Sequence, residues 1–483
     1  MSDKSKSGSL LWWALPPLLL YAVYWKGLFV WFHGDDFTLI EHVRAPAEHF
    51  WALLFEPRAQ GTYRTLSERL FFYWFYQWFG LNGFPFRVMA FGTQVVNLWL
   101  FGALLRRTGL TQAAALAASC LWAIHHGLSG TMSWSSSYNQ ALFSLFLLVS
   151  LLSFQAFLRS GNVGYYLLQW VTFLAGFLAL ETIVIYPALA LGYALAFERK
   201  RWAWALPMFL GSALIAWVQL QATPPGAGGG AYHMSLNPLH WIGALRFYCE
   251  LAFAGSSSAW AAWLIAVPLA AFAGWKGLQG EAAALFGWFW FLVGLTPYLP
   301  LGEHLSDYYL FLPSAGLAIA GGLALVAAWR AGWGARAAAA ALLAIFLVGS
   351  LRYSESIVDY SYRTSIRCRN LVTGLRYARV RHPDKTILLT SMDEVFFYAS
   401  IYHDLFKLAG VWDVYLAPDA NSVSQRPDRA NIDRFFLAPD DALRATLRHD
   451  VAVYDASGMR LRGATSLYEA YAPGRLATML ETE

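Results

Sequence analysis

LLWWALPPLLLYAVYWKGLFVWFHGDD, residues 10–36, is the stretch on which the reading of this chain turns. Leu10 to Phe32 is apolar except for Lys26 and is long enough to cross a bilayer, which takes about 20 residues. His33-Gly34-Asp35-Asp36 then sets two carboxylates where a membrane helix meets water, a costly place for charge unless it serves chemistry. The run is too long for a cleaved signal and is followed by no small-residue cleavage site, so it is expected to stay as an anchor.

Composition extends that reading to most of the chain. Of 483 residues 58% are hydrophobic and 13% charged, against about 25% charged in a soluble domain. Residues 1–354 hold 32 of the 65 charges and residues 355–483 the other 33. The first part therefore reads as a transmembrane domain and the second as a soluble one. The net charge of +5, sorted by loop, describes topology and not a nucleic-acid surface.

Eleven spans are expected, near 10–32, 84–105, 111–127, 139–158, 163–180, 182–197, 203–221, 258–275, 282–300, 309–329 and 336–352. The stretch 163–197 is split in two at Glu181 and Pro187. Alternate loops then carry Lys4 and Lys6, Arg106 and Arg107, Arg159, Arg199 to Arg201, Lys276, and Arg330 with Arg336. The positive-inside rule makes that side the cytoplasm. The chain is thus expected to be a multi-pass integral membrane protein, of the inner or plasma membrane if bacterial. Its N-terminus is expected inside and its C-terminal domain outside. The expected fold is an α-helical polytopic membrane domain followed by a small α/β domain on the outer face.

The first outer loop, 33–83, mixes aromatic and charged residues in Ala47–Phe55 and Leu66–Phe79 at spacings that suit helices lying along the interface. Trp51, Tyr73, Trp74, Tyr76 and Trp78 would sit at headgroup depth, either as anchors or as the roof of a cavity open to lipid. In the loop 223–257, Pro224 to Gly230 forms no regular element and reads equally as a lid or a connector. In the tail, Thr386–Thr390 and Val411–Leu416 read as strands and Asp393–Leu408 as a helix, with no nucleotide-binding glycine motif. Cys120, Cys249 and Cys368 follow no metal or redox spacing.

Several short motifs, all expected on the outer face, carry a resemblance when taken in order. They are the acidic pair, Tyr63-Arg64-Thr65-Leu66, Gly80 to Phe86 leading to Asn97-Leu98, His125-His126 through Trp134, Leu180-Glu181 through Pro187, and Asp307-Tyr308-Tyr309-Leu310-Phe311-Leu312-Pro313-Ser314. Together they resemble the GT-C superfamily of integral-membrane glycosyltransferases, and within it the protein O-mannosyltransferase-like branch of the transmembrane-and-TPR type. The tail has no 34-residue repeat period. Thr65 and His126 stand where that group has Pro, Gly130 where it has Glu, Leu180 where it has Lys, and Tyr308 where it has Arg.

The resemblance implies a sugar moved from a polyprenyl-phosphate donor to an acceptor hydroxyl, with inversion, at the outer membrane face. The acceptor hydroxyl needs a base, which a carboxylate can supply. Asp35 is preferred for this role and Asp36 as its partner, since on an extended segment only one of them could face a cavity. The alternative is that the pair caps a helix starting near Phe37. Arg64, Arg69, Arg246 and Lys26 are candidates for the lipid phosphate, with Arg64 favoured by its motif. His125, His126, Trp134, Glu181, Glu303, His304 and Asp307 are candidates for holding acceptor or sugar. A divalent cation on the acidic pair and some of these residues is one option, though no compact metal motif is present. The acceptor is a protein or, alternatively, a lipid or glycan. A transporter would be expected to show internal repeats, and none is seen.

Overall fold

Helix occupies each of the eleven apolar runs in the computed structural model, which describes residues 11–44, 50–57, 61–223, 233–255, 258–301, 304–419, 422–426 and 431–482. Among the described residues six helices are long and apolar enough to cross a membrane: Gly83–Arg107, Ser135–Ser160, Arg199–Ala222, Ala259–Leu278, Pro313–Ala331 and Trp333–Arg381. Gln112–Ala123, Val163–Phe177, Glu181–Phe197 and Ala282–Leu295 are shorter. The first run is broken into a 3-10 turn at Trp12–Ala14, an α-helix at Leu15–Tyr24 and a second 3-10 turn at Trp25–Phe29. Pro16 and Pro17 sit in the first turn of the α-helix, where their missing N–H groups cost no internal bond. The break at Glu181 is present as well: one helix ends at Phe177, and Glu181–Ile185 forms a 3-10 turn before Tyr186–Phe197.

One expectation is corrected here and one element is added. The last helix does not stop near residue 352 but runs on to Arg381, because no proline interrupts it until Pro383. In the loop expected on the outer face, a further helix, Pro238–Ala254, follows the stretch expected to be irregular; residues 224–232 themselves lie outside the described residues.

The chain divides into two compact units. The first comprises Met1–Phe29, Glu48–Phe75 and Phe84–Asp359, and holds the membrane-length helices, of which Trp333–Arg381 belongs to it only up to Asp359. Its core places Tyr248, Phe291, Leu295 and Leu310 at zero exposure. Helices Ala282–Leu295 and Pro313–Ala331 approach through glycines: a Cβ on Gly287 would fall 2.5 Å from the Gly316 carbonyl oxygen. Such close backbone contact is how helices associate where lipid removes the hydrophobic drive between them. Trp122 and Trp290 are fully buried and donate their indole N–H groups to the carbonyls of Phe311 (2.9 Å) and Leu312 (3.1 Å), which satisfies both polar groups.

The second unit comprises Val30–Ala47, Tyr76–Gly83 and Tyr360–Glu483. Its sheet contains β1 (Thr386–Thr390), β2 (Val414–Leu416), β3 (Val451–Asp455) and β4 (Arg462–Gly463), in the order β2-β1-β3-β4. The first three are parallel and β4 is antiparallel to β3. Leu388, Val451, Val453, Tyr468 and Leu476 form the dry interior against the flanking helices. The helix expected over Asp393–Leu408 is three pieces, Glu394–Ala399, Ile401–His403 and Leu405–Leu408, since Ser400 (φ −139°, ψ −82°) and Asp404 (left-handed, φ 56°) both leave the helical conformation. Two segments distant in sequence are built into this unit. Trp31 N–H donates to Ser365 Oγ (3.1 Å), its indole to the Leu81 carbonyl (2.7 Å), and Gly34 N–H to the Ala399 carbonyl (2.8 Å).

Candidate active site

The acidic pair lies in the second unit, at the start of the helix Asp35–Val43. It is neither on an extended strand nor capping a helix that begins at Phe37. Gly34, at φ 58°, is the cap residue, and both carboxylates fall in the first turn, where the helix dipole favours negative charge. Successive residues on a helix point about 100° apart, so the two have different surroundings. Asp36 is fully buried and its Oδ2 accepts from His33 N–H at 3.3 Å. The Asp35 side chain keeps 45% of its surface and has Nδ1 of His403 at 3.5 Å from Oδ1.

The Tyr63 to Leu66 motif meets the Leu180-Glu181 motif inside the first unit. Arg64 is left-handed at φ 33°, a strained conformation for a side chain with Cβ, and leads into a π-helix, Thr65–Leu70, that continues as Phe71–Phe79. Leu66 N–H donates to the Leu178 carbonyl (2.7 Å) and Ser67 Oγ to that of Ala179 (2.5 Å). Arg64 completes the seam: Nε donates to Glu181 Oε2 (2.8 Å), Nη1 to Glu68 Oε1 (2.8 Å), and Nη2 to Glu181 Oε1. Burial alone would lower its pKa, but Glu181 and Glu68 raise it well above the ordinary value, so the charge is permanent. Its guanidinium is already taken up by two carboxylates, which leaves it a poor partner for an added phosphate.

The segments 125–134 and 304–314 meet at another point in the same unit. His125 Nε2 lies 3.0 Å from the Ala252 carbonyl, and His126 N–H donates to Ser350 Oγ (2.9 Å). Gly130 and Tyr308, both departures from the resembling group, face each other: a Cβ on Gly130 would lie 3.1 Å from Tyr308 Cβ. Trp134 packs edge-on against Tyr308 at 6.2 Å, and His304 Nε2 is 3.4 Å from the Tyr308 hydroxyl. Asp307 accepts from Tyr308 N–H (2.9 Å), and no cation pairs with it among the described residues. Burial raises its pKa, against the N–H groups of Tyr308 and Asp307 and the hydroxyls of Tyr353 and Ser306.

Of the other phosphate candidates, Lys26 pairs with Asp359 (2.6 Å), Arg246 with Glu250 (2.8 Å), and Arg69 is buried. Glu303 lies outside the described residues. Among the described residues no three His, Cys, Asp or Glu side chains converge as metal donors. An apolar cavity of about 630 Å³, with no counterpart in the sequence reading, lies between helices Ala259–Leu278, Pro313–Ala331 and Trp333–Arg381. His125 is part of its wall, and Lys276 and Arg330 supply its basic groups.

No protein-family model matches the sequence, and no curated protein matches it. Solved structures do. The apo oligosaccharyltransferase of Archaeoglobus fulgidus is 12% identical with a TM-score of 0.53, over 94% of this chain and 70% of that one. The same enzyme, AglB, in complex with an inhibitory peptide and a dolichol-phosphate gives the same values. ArnT from Cupriavidus metallidurans bound to undecaprenyl phosphate matches over 96% of this chain and 94% of that one, at 13% identity and a TM-score of 0.46. At this level of identity the oligosaccharyltransferase likeness concerns the fold, and the chain is an integral membrane protein with a GT-C fold.

Proposed function

We propose that this protein is a GT-C glycosyltransferase that moves a sugar from a polyprenyl-phosphate donor to an acceptor hydroxyl at the outer membrane face. The observation that carries the reading is the division of the acidic pair into a buried Asp36 and a half-exposed Asp35 at a helix start. Asp35 is then the base. The acceptor oxygen attacks the anomeric carbon, its proton passes to Asp35, and the bond from that carbon to the phosphate oxygen breaks with the electron pair leaving on the lipid phosphate. A single displacement of this kind inverts the anomeric centre.

The apolar cavity supports a lipid-linked donor, since an isoprenoid tail needs dry surface. The phosphate needs a cation not already neutralised, and Arg64 fits that need poorly while Glu68 and Glu181 hold it. In motif order the chain stands with the O-mannosyltransferase-like branch, with a protein hydroxyl as acceptor. Tyr308 against Gly130, in place of a charged pair, supports an acceptor or sugar recognised more by aromatic surface than by charge. The basic loops support a cytoplasmic N-terminus and an outer C-terminal unit.

The test is turnover in nanodiscs: labelled polyprenyl-phosphate hexoses and pentoses are supplied with envelope acceptors, and release of polyprenyl phosphate is followed. At the same time, glycans and lipids of cells with and without the protein are compared by mass spectrometry. A donor consumed only when Asp35 is intact supports the reading. Movement of the intact lipid-linked sugar across the bilayer, with no sugar transferred, would sink it in favour of a transporter.

A further inference from the structure

The helix that carries Asp35 is held by the segment Ala399–His403, more than 360 residues later in the chain. Gly34 N–H is bonded to the Ala399 carbonyl at 2.8 Å, which fixes the start of the helix on that segment. One turn into the helix, Thr38 Oγ1 lies 3.0 Å from His403 Nδ1, and the same nitrogen is 3.5 Å from Asp35 Oδ1. The ring is 9% exposed, whereas the carboxylate it faces is half open. A buried imidazole held by its neighbours has little rotational freedom, so one nitrogen stays aimed at the turn that carries the carboxylate. An ionised carboxylate only accepts, and the tautomer with a proton on Nδ1 serves both Thr38 and Asp35.

We propose that His403 is the positioning residue of the base, its Nδ1–H holding Asp35 Oδ1 so that Oδ2 is the oxygen presented to the acceptor hydroxyl. The assignment rests on the reading of Asp35 as base. It gives the C-terminal unit a part in the chemistry beyond support or docking. In this role His403 acts through Asp35 and sets its rotamer, as second partners of catalytic and metal-binding side chains do.

The test uses the full chain in nanodiscs with a polyprenyl-phosphate hexose that the wild type turns over. The variants are His403→Asn, whose amide nitrogen reaches the place of Nδ1, and His403→Gln, whose amide nitrogen reaches the place of Nε2. His403→Gln is expected to lower kcat by about 10- to 100-fold, the size of one hydrogen bond to a charged group, with donor KM unchanged. His403→Asn is expected to stay within about threefold of wild type. Adding His403→Gln to Asp35→Asn should cost nothing more, because both act on the same step. Wild-type kcat in His403→Gln beside an inactive Asp35→Asn overturns the positioning role and leaves the base standing. Equal impairment of His403→Asn and His403→Gln with lowered melting temperatures also overturns it, since the ring would then matter only for packing. Full turnover by Asp35→Asn removes the base itself, and the role of His403 with it.

Discussion

At Arg64 three guanidinium nitrogens meet carboxylates, whereas Asp35 has an imidazole at 3.5 Å and nearly half of its side chain in the open. Both positions were singled out by motif, yet their surroundings differ in kind. The Arg64 cluster neutralises a cation within a seam of backbone bonds that ties residues 64–67 to the corner at 178–181. The Asp35 turn leaves one charge accessible and buries its neighbour. A charge whose partners are all supplied by the protein holds structure together; a charge left partly exposed on a fixed turn is available for chemistry.

The comparison breaks most directly at the carboxylates. Asp35→Asn keeps shape and removes basicity, and loss of a general base costs about 100- to 10,000-fold in rate. The melting temperature should stay near wild type, because the side chain is half exposed. Asp36→Asn should lower it, since a buried oxygen that accepts from His33 N–H is replaced by a group that can present a donor there. Initial rates and thermal unfolding of the two variants in the same detergent check both statements. Near-normal turnover in both would end the catalytic reading of the pair.

The Arg64 cluster sharpens the same contrast at smaller amplitude. Removing one member of a buried ion pair costs about 3–5 kcal/mol. With 23% of Arg64 and 29% of Glu181 exposed, about 2 kcal/mol is expected for Arg64→Ala. Glu181→Gln should lose less, because Glu68 still holds Nη1. Affinity for a non-transferable polyprenyl-phosphate sugar analogue should fall only as far as the loop loosens. A loss of donor affinity with unchanged unfolding would instead make Arg64 a phosphate ligand.

How much of this was legible in the sequence depends on the range of the interactions. Spans such as 138–160 and 313–331 announce themselves by apolar length alone, and the break at Glu181 by a charge and a proline within one run. β1 reads as a buried strand from five residues. β3, Val451–Asp455, carries a similar apolar pattern and could have been found the same way. The assignment of Val30–Ala47 and Tyr76–Gly83 to the same unit as the tail has no local signature, because it rests on bonds such as Trp31 to Ser365. His403 was missed for that reason. The meeting of Arg64 with Glu181 was likewise invisible: each residue stood in a motif, but nothing nearby in sequence indicates that one neutralises the other.

Gly130 provides a finer probe of the membrane unit. A Cβ there would stand 3.1 Å from Tyr308 Cβ, closer than packed carbons rest, so Gly130→Ala forces the tyrosine to shift by a few tenths of an ångström. About 1 kcal/mol of destabilisation is expected, the low end for overpacking. Tyr308→Gly in the same chain, which removes that Cβ, should relieve it. If the Gly130 and Tyr308 contact also shapes acceptor recognition, Gly130→Ala will raise the acceptor KM more than it lowers kcat. Additive unfolding effects in the double variant would show that the two side chains do not press on each other.

The smallest effect is expected at Asp307, and its sign is opposite to the others. Burial raises the pKa of this carboxyl above its ordinary value, and among the described residues no cation offsets the charge. An acid whose pKa is higher in the folded than in the unfolded state binds more protons when folded. Stability is therefore greatest below the unfolded value of about 3.9 and falls as pH rises through the window up to the folded value. At neutral pH the buried carboxyl of Asp307 is therefore a net cost. Asp307→Asn, neutral and of the same shape, should raise the melting temperature at pH 7.5, by less than Gly130→Ala lowers it, and should do so less and less as the pH falls toward the unfolded value. A melting temperature that falls at pH 7.5 would mean that the bond from Tyr308 N–H outweighs the cost of burial. If stability rises while turnover drops, Asp307 is a residue kept charged for function at the expense of the fold, which would place it with Asp35 and not with the Arg64 cluster.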